Sequence, residues 1–124
     1  MEKVNAEKLV IDGCTYVRED KAQMAEKLDG MRYCIIRTYS AGVHAGYLAD
    51  RDGEEVTLKH ARRIYYWAGA ATLSEMANEG VAKPKECKFP AAVNEITLTN
   101  AIEIIPCTEK ARDSLQNVPV WSAK

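Results

Sequence analysis

The pair Asp52-Gly53 is the feature that most limits the fold of this chain, because it lies between two segments of strand-forming residues. An Asp-Gly pair favours the two-residue turn that joins antiparallel strands. Residues 43–49 precede it and residues 55–58 follow it. A second tight connection, at residues 40–42, separates this pair of segments from the apolar run at residues 32–39. Successive strands joined by short turns predict an antiparallel meander.

Two sequence signals predict helices. Thr72-Leu73-Ser74-Glu75 is a capping box, in which a hydroxyl and a carboxylate each accept from a backbone amide at the helix start, and Gly80 supplies the stop. Thr108 predicts the N-cap of a second helix whose Ala111 and Leu115 face inward. The expected class is therefore α+β, with an antiparallel sheet of four to six strands and two helices packed on it.

Residues 93–105 predict one long strand on which Ile96, Leu98, Ile102 and Ile104 alternate on one face. Asn100 falls in the middle of that apolar face. The amide there is buried with partners, marks a bend in the strand, or contacts a ligand. Gly46, within the predicted second strand, marks either a bulge or a close approach of another backbone.

The N-terminal residues predict a separate appendage. In residues 1–30, a short hairpin over residues 9–17 precedes a charged helix over residues 18–28, and Gly30 ends the helix. The main α+β domain is then expected to cover residues 31–124.

Residues 61–67, with the sequence ARRIYYW, combine two arginines with three aromatic rings and predict the next strand. Alternation would place Arg63, Tyr65 and Trp67 on one face and Arg62 on the other. Such a face can stack a base on a ring while an arginine binds a phosphate through two parallel hydrogen bonds. The alternative is a strand that packs its aromatic rings in the core and leaves the arginines in water, and composition alone favours it.

The charge balance argues against a nucleic-acid partner. The chain has 17 Lys and Arg residues against 18 Asp and Glu residues, whereas domains that coat a nucleic-acid backbone are usually strongly basic. No apolar run approaches the roughly 18 residues of a membrane-spanning helix. The N-terminus has no signal-peptide pattern. We therefore expect a cytoplasmic protein without a membrane partner.

Neither a metal site nor catalysis is indicated by the remaining polar residues. The four cysteines, Cys14, Cys34, Cys87 and Cys107, contain no C-x-x-C pair of the kind that binds zinc. Cys34 is expected to be a small buried residue. His44 and His60 lack the context of a nucleophilic site. We therefore expect no cofactor and no enzymatic activity.

Three blocks carry a resemblance to a known family. They are residues 36–43 (IRTYSAGV), residues 61–67 (ARRIYYW) and residues 101–108 (AIEIIPCT). Together they resemble the bacteriophage Thoeris anti-defence (Tad) sponges, over about residues 31–121. The resemblance implies a phage protein in the host cytoplasm that binds a cyclic ADP-ribose isomer, the immune signal gcADPR, without degrading it. It further implies dimers and hexamers, silencing of the Thoeris effector, and binding of the cyclic di- or trinucleotides of CBASS.

A receptor for such a ligand needs flat platforms for the base and donors for the diphosphate. The donor candidates are Arg37, Arg62, Arg63, Lys110 and Arg112, and the platforms are Tyr39, Tyr65 and Trp67. Ser40 and Gly42 belong to a turn whose amides can bind phosphate, and Asn100 is the candidate amide. A plain hairpin is the alternative for the turn, and a solvated helix face is the alternative for Lys110 and Arg112. We expect alanine at Arg37, Arg62 or Arg63 to weaken binding at least about tenfold with the fold intact.

Three other functions remain open at this point. A phage accessory protein that stacks single-stranded bases would use Arg62, Arg63 and the aromatic rings, and its binding would depend strongly on salt. A structural phage protein would bury the same rings in an oligomer interface. A cyclic-nucleotide hydrolase is least favoured, because no metal cluster or acid–base pair is visible.

Overall fold

The computed structural model describes residues 23–123, and in this part of the chain five strands and two helices form an α+β fold. The strands are β1 (Arg32–Thr38), β2 (Val43–Asp52), β3 (Glu55–Ile64), β4 (Val93–Leu98) and β5 (Ala101–Pro106). The helices are α1 (Leu73–Glu79) and α2 (Glu109–Gln116), and one 3-10 turn covers Pro84–Glu86. All strand pairs are antiparallel, which confirms the predicted class.

The sheet is strongly curled, because its two edges are the two halves of one chain segment. The strand order is β4-β3-β2-β1-β5, so β4 and β5 lie at opposite edges. Only Thr99 and Asn100 separate them. Across this step the Ala101 amide donates to the Glu54 carbonyl at 2.9 Å, and the Tyr39 amide donates to the Asn100 carbonyl at 2.9 Å. The predicted long strand over residues 93–105 is therefore bent at Asn100.

The structure corrects the predicted alternation at Ile102, whereas Ile104 packs on the same core as Ile96 and Leu98, as predicted. Ala101 is buried, whereas Ile102 is 47% exposed. Ile102 therefore does not share the buried face with Ile96 and Leu98. The physical reason is a register shift: Thr38 pairs with Ala101 and Arg37 pairs with Glu103, so Ile102 is an extra residue without a partner in β1.

Two apolar cores lie on the two faces of the sheet. The helix-side core joins Tyr33, Ile35, Tyr47 and Ile64 of the strands to α1, α2 and Phe89. The strand-side core consists of residues from the sheet alone: Cys34, Ile36, Val56, Leu58, Ala61, Leu98 and Ala101. The successive residues from Tyr33 to Ile36 alternate between the two cores, as a central strand requires. Cys34 is fully buried, as predicted.

A β-bulge opposite Gly46 interrupts β3. Tyr47 pairs with Lys59 and Ala45 pairs with Arg62, so His60 and Ala61 together face Gly46. His60 has a φ of 52°, the left-handed backbone that a bulge can require. A Cβ on Gly46 would lie 3.0 Å from the Lys59 oxygen and 3.1 Å from Cα of Ala61. Gly46 is thus both the site of the bulge and a point of close backbone approach.

The strand predicted over residues 61–67 is wrong in its second half. Residues 55–64 form one strand, and the chain leaves the sheet after Ile64. The amides of Tyr65 and Tyr66 both donate to the Lys88 carbonyl, at 3.1 and 3.2 Å. These hydrogen bonds to another loop replace the hydrogen bonds between strands, so the alternation of side chains stops after Ile64.

Both predicted helix starts are confirmed. The Glu75 amide donates to Thr72 Oγ1 at 3.1 Å, and the Ala111 amide donates to Thr108 Oγ1 at 3.0 Å. The Glu75 carboxylate accepts from the Ala71 amide at 2.8 Å, one residue before the amide of an ideal capping box. Gly80, with a φ of 80°, ends α1.

The predicted helix over residues 18–28 is absent from its described half, and the rest of it lies outside the described residues, as does the hairpin over residues 9–17. Residues 23–25 instead pair with the chain that leads into α2. The Ala25 amide donates to the Cys107 carbonyl at 3.1 Å, and the Glu109 amide donates to the Gln23 carbonyl at 2.9 Å. These backbone groups are therefore not available for helical hydrogen bonds.

We expect Gly46→Ala to lower the free energy of unfolding by about 1–3 kcal/mol, because its Cβ would press on the backbone of β3. Urea unfolding followed by circular dichroism measures this loss. Gly53→Asn is the matched control: Gly53 has a φ of 63° with nothing near its Cβ position, and Asn tolerates that backbone. Equal losses in the two variants would contradict the close approach at Gly46.

Candidate functional site

Arg62 is buried, and backbone carbonyls accept from all of its donors. A guanidinium has five N–H groups. Nε donates to Pro90 O at 3.2 Å, Nη1 to Leu115 O and Val118 O at 3.1 and 2.6 Å, and Nη2 to Phe89 O and Pro119 O at 3.0 and 3.4 Å. The guanidinium also lies over the Phe89 ring, 5.3 Å from its centroid. Arg62 has no donor left for a ligand, which corrects its prediction as a ligand-binding residue.

Arg63 points to the opposite face of β3. Its Nη1 donates to the Ala41 carbonyl at 3.0 Å, and its side chain is exposed. Among residues 23–123 its Nε and Nη2 groups have no hydrogen-bond partner. The two arginines therefore lie on opposite faces, as their alternation predicts, and Arg63 keeps hydrogen-bond donors without partners in residues 23–123.

The turn after β1 brings four predicted site residues close to Arg63. Nδ2 of Asn100 donates to Ser40 Oγ at 2.8 Å, and Tyr39 is 81% exposed. Gly42 has a φ of 85°, which a glycine adopts without strain. We call Tyr39, Ser40, Gly42, Arg63 and Asn100 the turn cluster. Their positions lie up to 61 residues apart in the chain, and the curl of the sheet brings them to one end.

Two of the four backbone amides at residues 39–42 already donate hydrogen bonds within the chain. The Tyr39 amide donates to Asn100 O, and the Ala41 amide donates to Thr38 Oγ1 at 2.8 Å. Thr38 Oγ1 in turn donates to the Gly42 carbonyl at 2.7 Å. Of the amides at residues 39–42, those of Ser40 and Gly42 therefore remain for an anion.

The other predicted donors lie elsewhere. Arg37 pairs with Glu103 at 3.5 Å on the helix-side face of the sheet. Lys110 pairs with Glu79 at 2.6 Å, and Arg112 pairs with Asp113 at 2.9 Å. The pKa of Arg112 is raised, chiefly by its hydrogen bond to Asp113. The structure does not bring these three cations to the turn cluster.

The predicted aromatic platforms are separated as well. Trp67 packs on the helix-side core, and its indole donates to the Ala70 carbonyl at 3.1 Å. Tyr65 is exposed and stacks on Trp121, with centroids 5.1 Å apart and rings 10° from parallel. The expectation that Arg63, Tyr65 and Trp67 share one face is therefore wrong, because the strand ends before the rings.

Sequence reasoning did not single out the cation beside this stack. Lys88 Nζ lies 5.6 Å from the Trp121 centroid and 5.8 Å from the Tyr66 centroid. Tyr65, Tyr66, Lys88 and Trp121 form what we call the aromatic patch. Their rings are 43–63% exposed, so the patch offers flat surface and positive charge to solvent.

Sequence reasoning also missed His44. Its side chain is 1% exposed, and neither ring nitrogen has a hydrogen-bond partner among residues 23–123. Burial, and then the nearby positive charge of Arg63, lower the pKa of His44 to about 4. The imidazole is therefore neutral at physiological pH, with one donor and one acceptor. The sequence did contain a signal for the burial of His44: it is a polar residue inside an apolar strand, on the same face as Gly46 and Leu48.

A family comparison adds to this geometry. Residues 31–115 match the model of a domain of unknown function, DUF6948. The chain belongs to this family. The match begins at the residue where the sequence predicts the main domain to start. No curated protein and no solved structure matches the chain.

The described residues contain no group of three or more His, Cys, Asp or Glu side chains placed to hold a metal ion. Neither helix in residues 23–123 has the length and apolar character needed to cross a bilayer.

The two arginines give a matched pair of variants for stability. We expect Arg62→Ala to lower the free energy of unfolding by about 3–5 kcal/mol, because buried carbonyls lose their donors. Arg63→Ala should cost less than about 1 kcal/mol, because its side chain is exposed. Urea unfolding of both variants measures the difference. Equal losses in the two variants would contradict the structural role of Arg62. This predicted loss of stability replaces the expectation from the sequence that Arg62→Ala leaves the fold intact.

The lowered pKa of His44 predicts acid sensitivity. The folded imidazole titrates at about 4, and the unfolded one near 6.5. Between these values the unfolded chain binds a proton that the folded chain does not, so stability present above pH 6.5 is lost as the pH falls to about 4. The loss at about pH 4.5 is about 2–3 kcal/mol, at 1.36 kcal/mol per pKa unit.

Urea unfolding at about pH 7 and about pH 4.5 checks this prediction. His44→Phe should remove this part of the pH dependence, whereas His60→Asn, at the other histidine, should retain it. An unchanged pH dependence in His44→Phe would show that other groups cause the acid sensitivity.

Proposed function

We propose that this protein binds and sequesters a nucleotide signal of the cyclic ADP-ribose type, without chemical conversion. Arg63 is the observation that supports this most: it is the arginine of residues 61–67 whose guanidinium keeps donors without partners in the described chain. A guanidinium binds phosphate oxygens through two parallel hydrogen bonds, which suits a pyrophosphate. The exposed ring of Tyr39, two residues before the Ala41 carbonyl that Arg63 contacts, offers a platform for a base.

The rest of the turn cluster complements Arg63. Asn100 and Ser40 supply an amide and a hydroxyl for ribose hydroxyls, and the Ser40 and Gly42 amides supply donors for phosphate oxygens. The resemblance of residues 36–43, 61–67 and 101–108 to the Thoeris anti-defence sponges supports the same ligand class. In this proposal the protein acts in the cytoplasm of a phage-infected cell and keeps the Thoeris effector inactive. Cyclic di- and trinucleotides of CBASS are further ligands in the proposal.

Self-association completes the proposed site. Sequestration at nanomolar affinity needs about −12 kcal/mol of binding free energy, which requires many convergent contacts. The turn cluster lies at an exposed end of the sheet, so one chain covers only one side of a ligand. We therefore include a dimer, and its assembly into a hexamer, in the proposal. Native mass spectrometry of the purified protein measures the assembly and any retained nucleotide together.

Binding measurements on arginine variants test the role of Arg63. We expect Arg63→Ala to weaken binding of a cyclic ADP-ribose isomer by roughly 10–150-fold, the loss of about 1.5–3 kcal/mol for a charge-assisted contact. Arg63→Lys should restore only part of the affinity, because an ammonium group lacks the fork of the guanidinium. Isothermal titration calorimetry measures both.

Arg51→Ala is the matched control, since Arg51 is an exposed arginine that donates to Gly53 O beside the β2–β3 hairpin. Arg37→Ala tests another of the predicted arginines, whose position beside Glu103 favours a smaller effect than at Arg63. Unchanged affinity in Arg63→Ala would refute the turn cluster as the binding site.

Ligand recovery separates sequestration from catalysis. The bound protein is denatured by heat, and the released nucleotide is analysed by mass spectrometry. We expect the input cyclic molecule to be recovered intact. Recovery of linear ADP-ribose would instead establish hydrolysis and overturn the proposal of a binding protein.

The aromatic patch favours a second candidate function. Stacking on Tyr65 and Trp121 with Lys88 close by suits single-stranded nucleic acid, since base stacking on aromatic rings tolerates any sequence. Titration of an oligonucleotide at rising salt tests it, because such binding weakens steeply as salt increases. Binding that Trp121→Ala abolishes would favour this candidate.

A further inference from the structure

His44 has unsatisfied hydrogen-bonding groups in the strand-side face of the sheet. A buried polar atom without a partner costs about 1–3 kcal/mol, so such atoms in a folded protein call for a ligand, a water or a functional role. Both nitrogens of His44 are in this state among the described residues. The unmet groups are one donor and one acceptor on a flat neutral ring.

A cavity of about 130 Å³ has His44 among its lining residues. Besides His44 and Arg63, its lining is apolar: Ala61, Pro90, Ala91, Val93 and Ile96. Val93 is 48% exposed, and Ala91 and Arg63 are exposed too, so these residues form the rim. The cavity thus has an apolar wall, a cation at its entrance, and a floor at His44 whose two ring nitrogens are closed to solvent in this conformation.

The size and lining of the cavity select the kind of group that fits. An apolar cavity of about 150 Å³ is known to bind benzene, so about 130 Å³ admits one six-membered ring, such as that of a purine whose five-membered ring and sugar stay at the open rim. Whole drug-sized ligands need roughly 300–1,000 Å³. The apolar wall disfavours an anion, which would lose its hydration there. A flat heterocycle with a hydrogen-bonding edge fits both the wall and the floor.

We infer that the cavity between His44 and Arg63 receives the heterocyclic base of a nucleotide, with its polar edge on His44 and its phosphate on Arg63. This deepens the proposed function and rests on it for the nucleotide class of ligand. Arg63 is held by one hydrogen bond, to Ala41 O. Arg63 is also the cross-strand partner of His44. In this inference its movement toward a phosphate opens the imidazole to the base, which makes His44 the specificity-determining residue of the same site.

Histidine ring NMR tests the inference, because the chain has only two histidines. His60→Asn leaves the signals of His44 alone in the spectrum, and Asn tolerates the positive φ at residue 60. Adenosine, adenosine 5′-monophosphate and ribose 5-phosphate are the probes. We expect the first two to shift the His44 ring nitrogens, and ribose 5-phosphate to shift the Arg63 side chain alone.

Two variants separate binding from folding. His44→Phe retains a buried ring without polar atoms and should weaken adenosine binding at least about tenfold while leaving ribose 5-phosphate binding unchanged. Ala91→Leu fills the rim from an exposed position, keeps His44, and should have the same effect. The second variant provides the test if the first fails to fold.

The outcomes distinguish this inference from the proposed function. If a cyclic ADP-ribose isomer binds the protein and both variants alike without shifting the His44 nitrogens, the base lies elsewhere and the inference is refuted. If adenosine shifts His44 and Ala91→Leu prevents it, the inference is supported. That support would hold even if cyclic ADP-ribose failed to bind. Such a failure would refute the proposed function but not this inference.

Discussion

The hydrogen bonds of Arg62 are the interaction on which the rest of the structure depends. One guanidinium joins β3 to the loop at Phe89 and Pro90 and to the end of α2 at Leu115 and Val118. The burial of this cation lowers its pKa, yet a guanidinium stays charged in proteins. Five carbonyl partners compensate for the lost hydration, as a buried charge requires. A lysine, with three donors on a point charge, would leave carbonyls unpaired.

The bulge at His60 decides which arginine has this role. One extra residue in a strand reverses the faces of all residues beyond it. Because His60 is that residue, Arg62 points to the helix-side core and Arg63 to the strand-side face. Without this extra residue, Arg62 would point to the strand-side face and Arg63 to the helix-side core. The separation of a buried structural arginine from an exposed one, the arginine of the proposed site, therefore depends on Gly46, whose missing side chain admits the bulge.

Sequence signals within a few residues of each other predicted the fold, and contacts between distant segments were not predictable from them. Asp52-Gly53 and the caps at Thr72 and Thr108 are local, so the hairpin and both helix starts follow directly. The role of Arg62 depends on carbonyls 27–57 residues away in the chain, which no local pattern reveals. The contact of Asn100 with Ser40 likewise depends on the curl of the whole sheet.

The bend at Asn100 has a kinetic consequence. The hairpins β1–β2 and β2–β3 close short loops, whereas β5 must find β1 across most of the chain. Loop-closure entropy delays such distant pairs, so the local hairpins are expected to form first. The segment from β4 to β5 then pairs with both edges in one event, since only two residues join its halves. The last step of folding is therefore also expected to assemble the turn cluster, so the proposed site would form only when folding is complete.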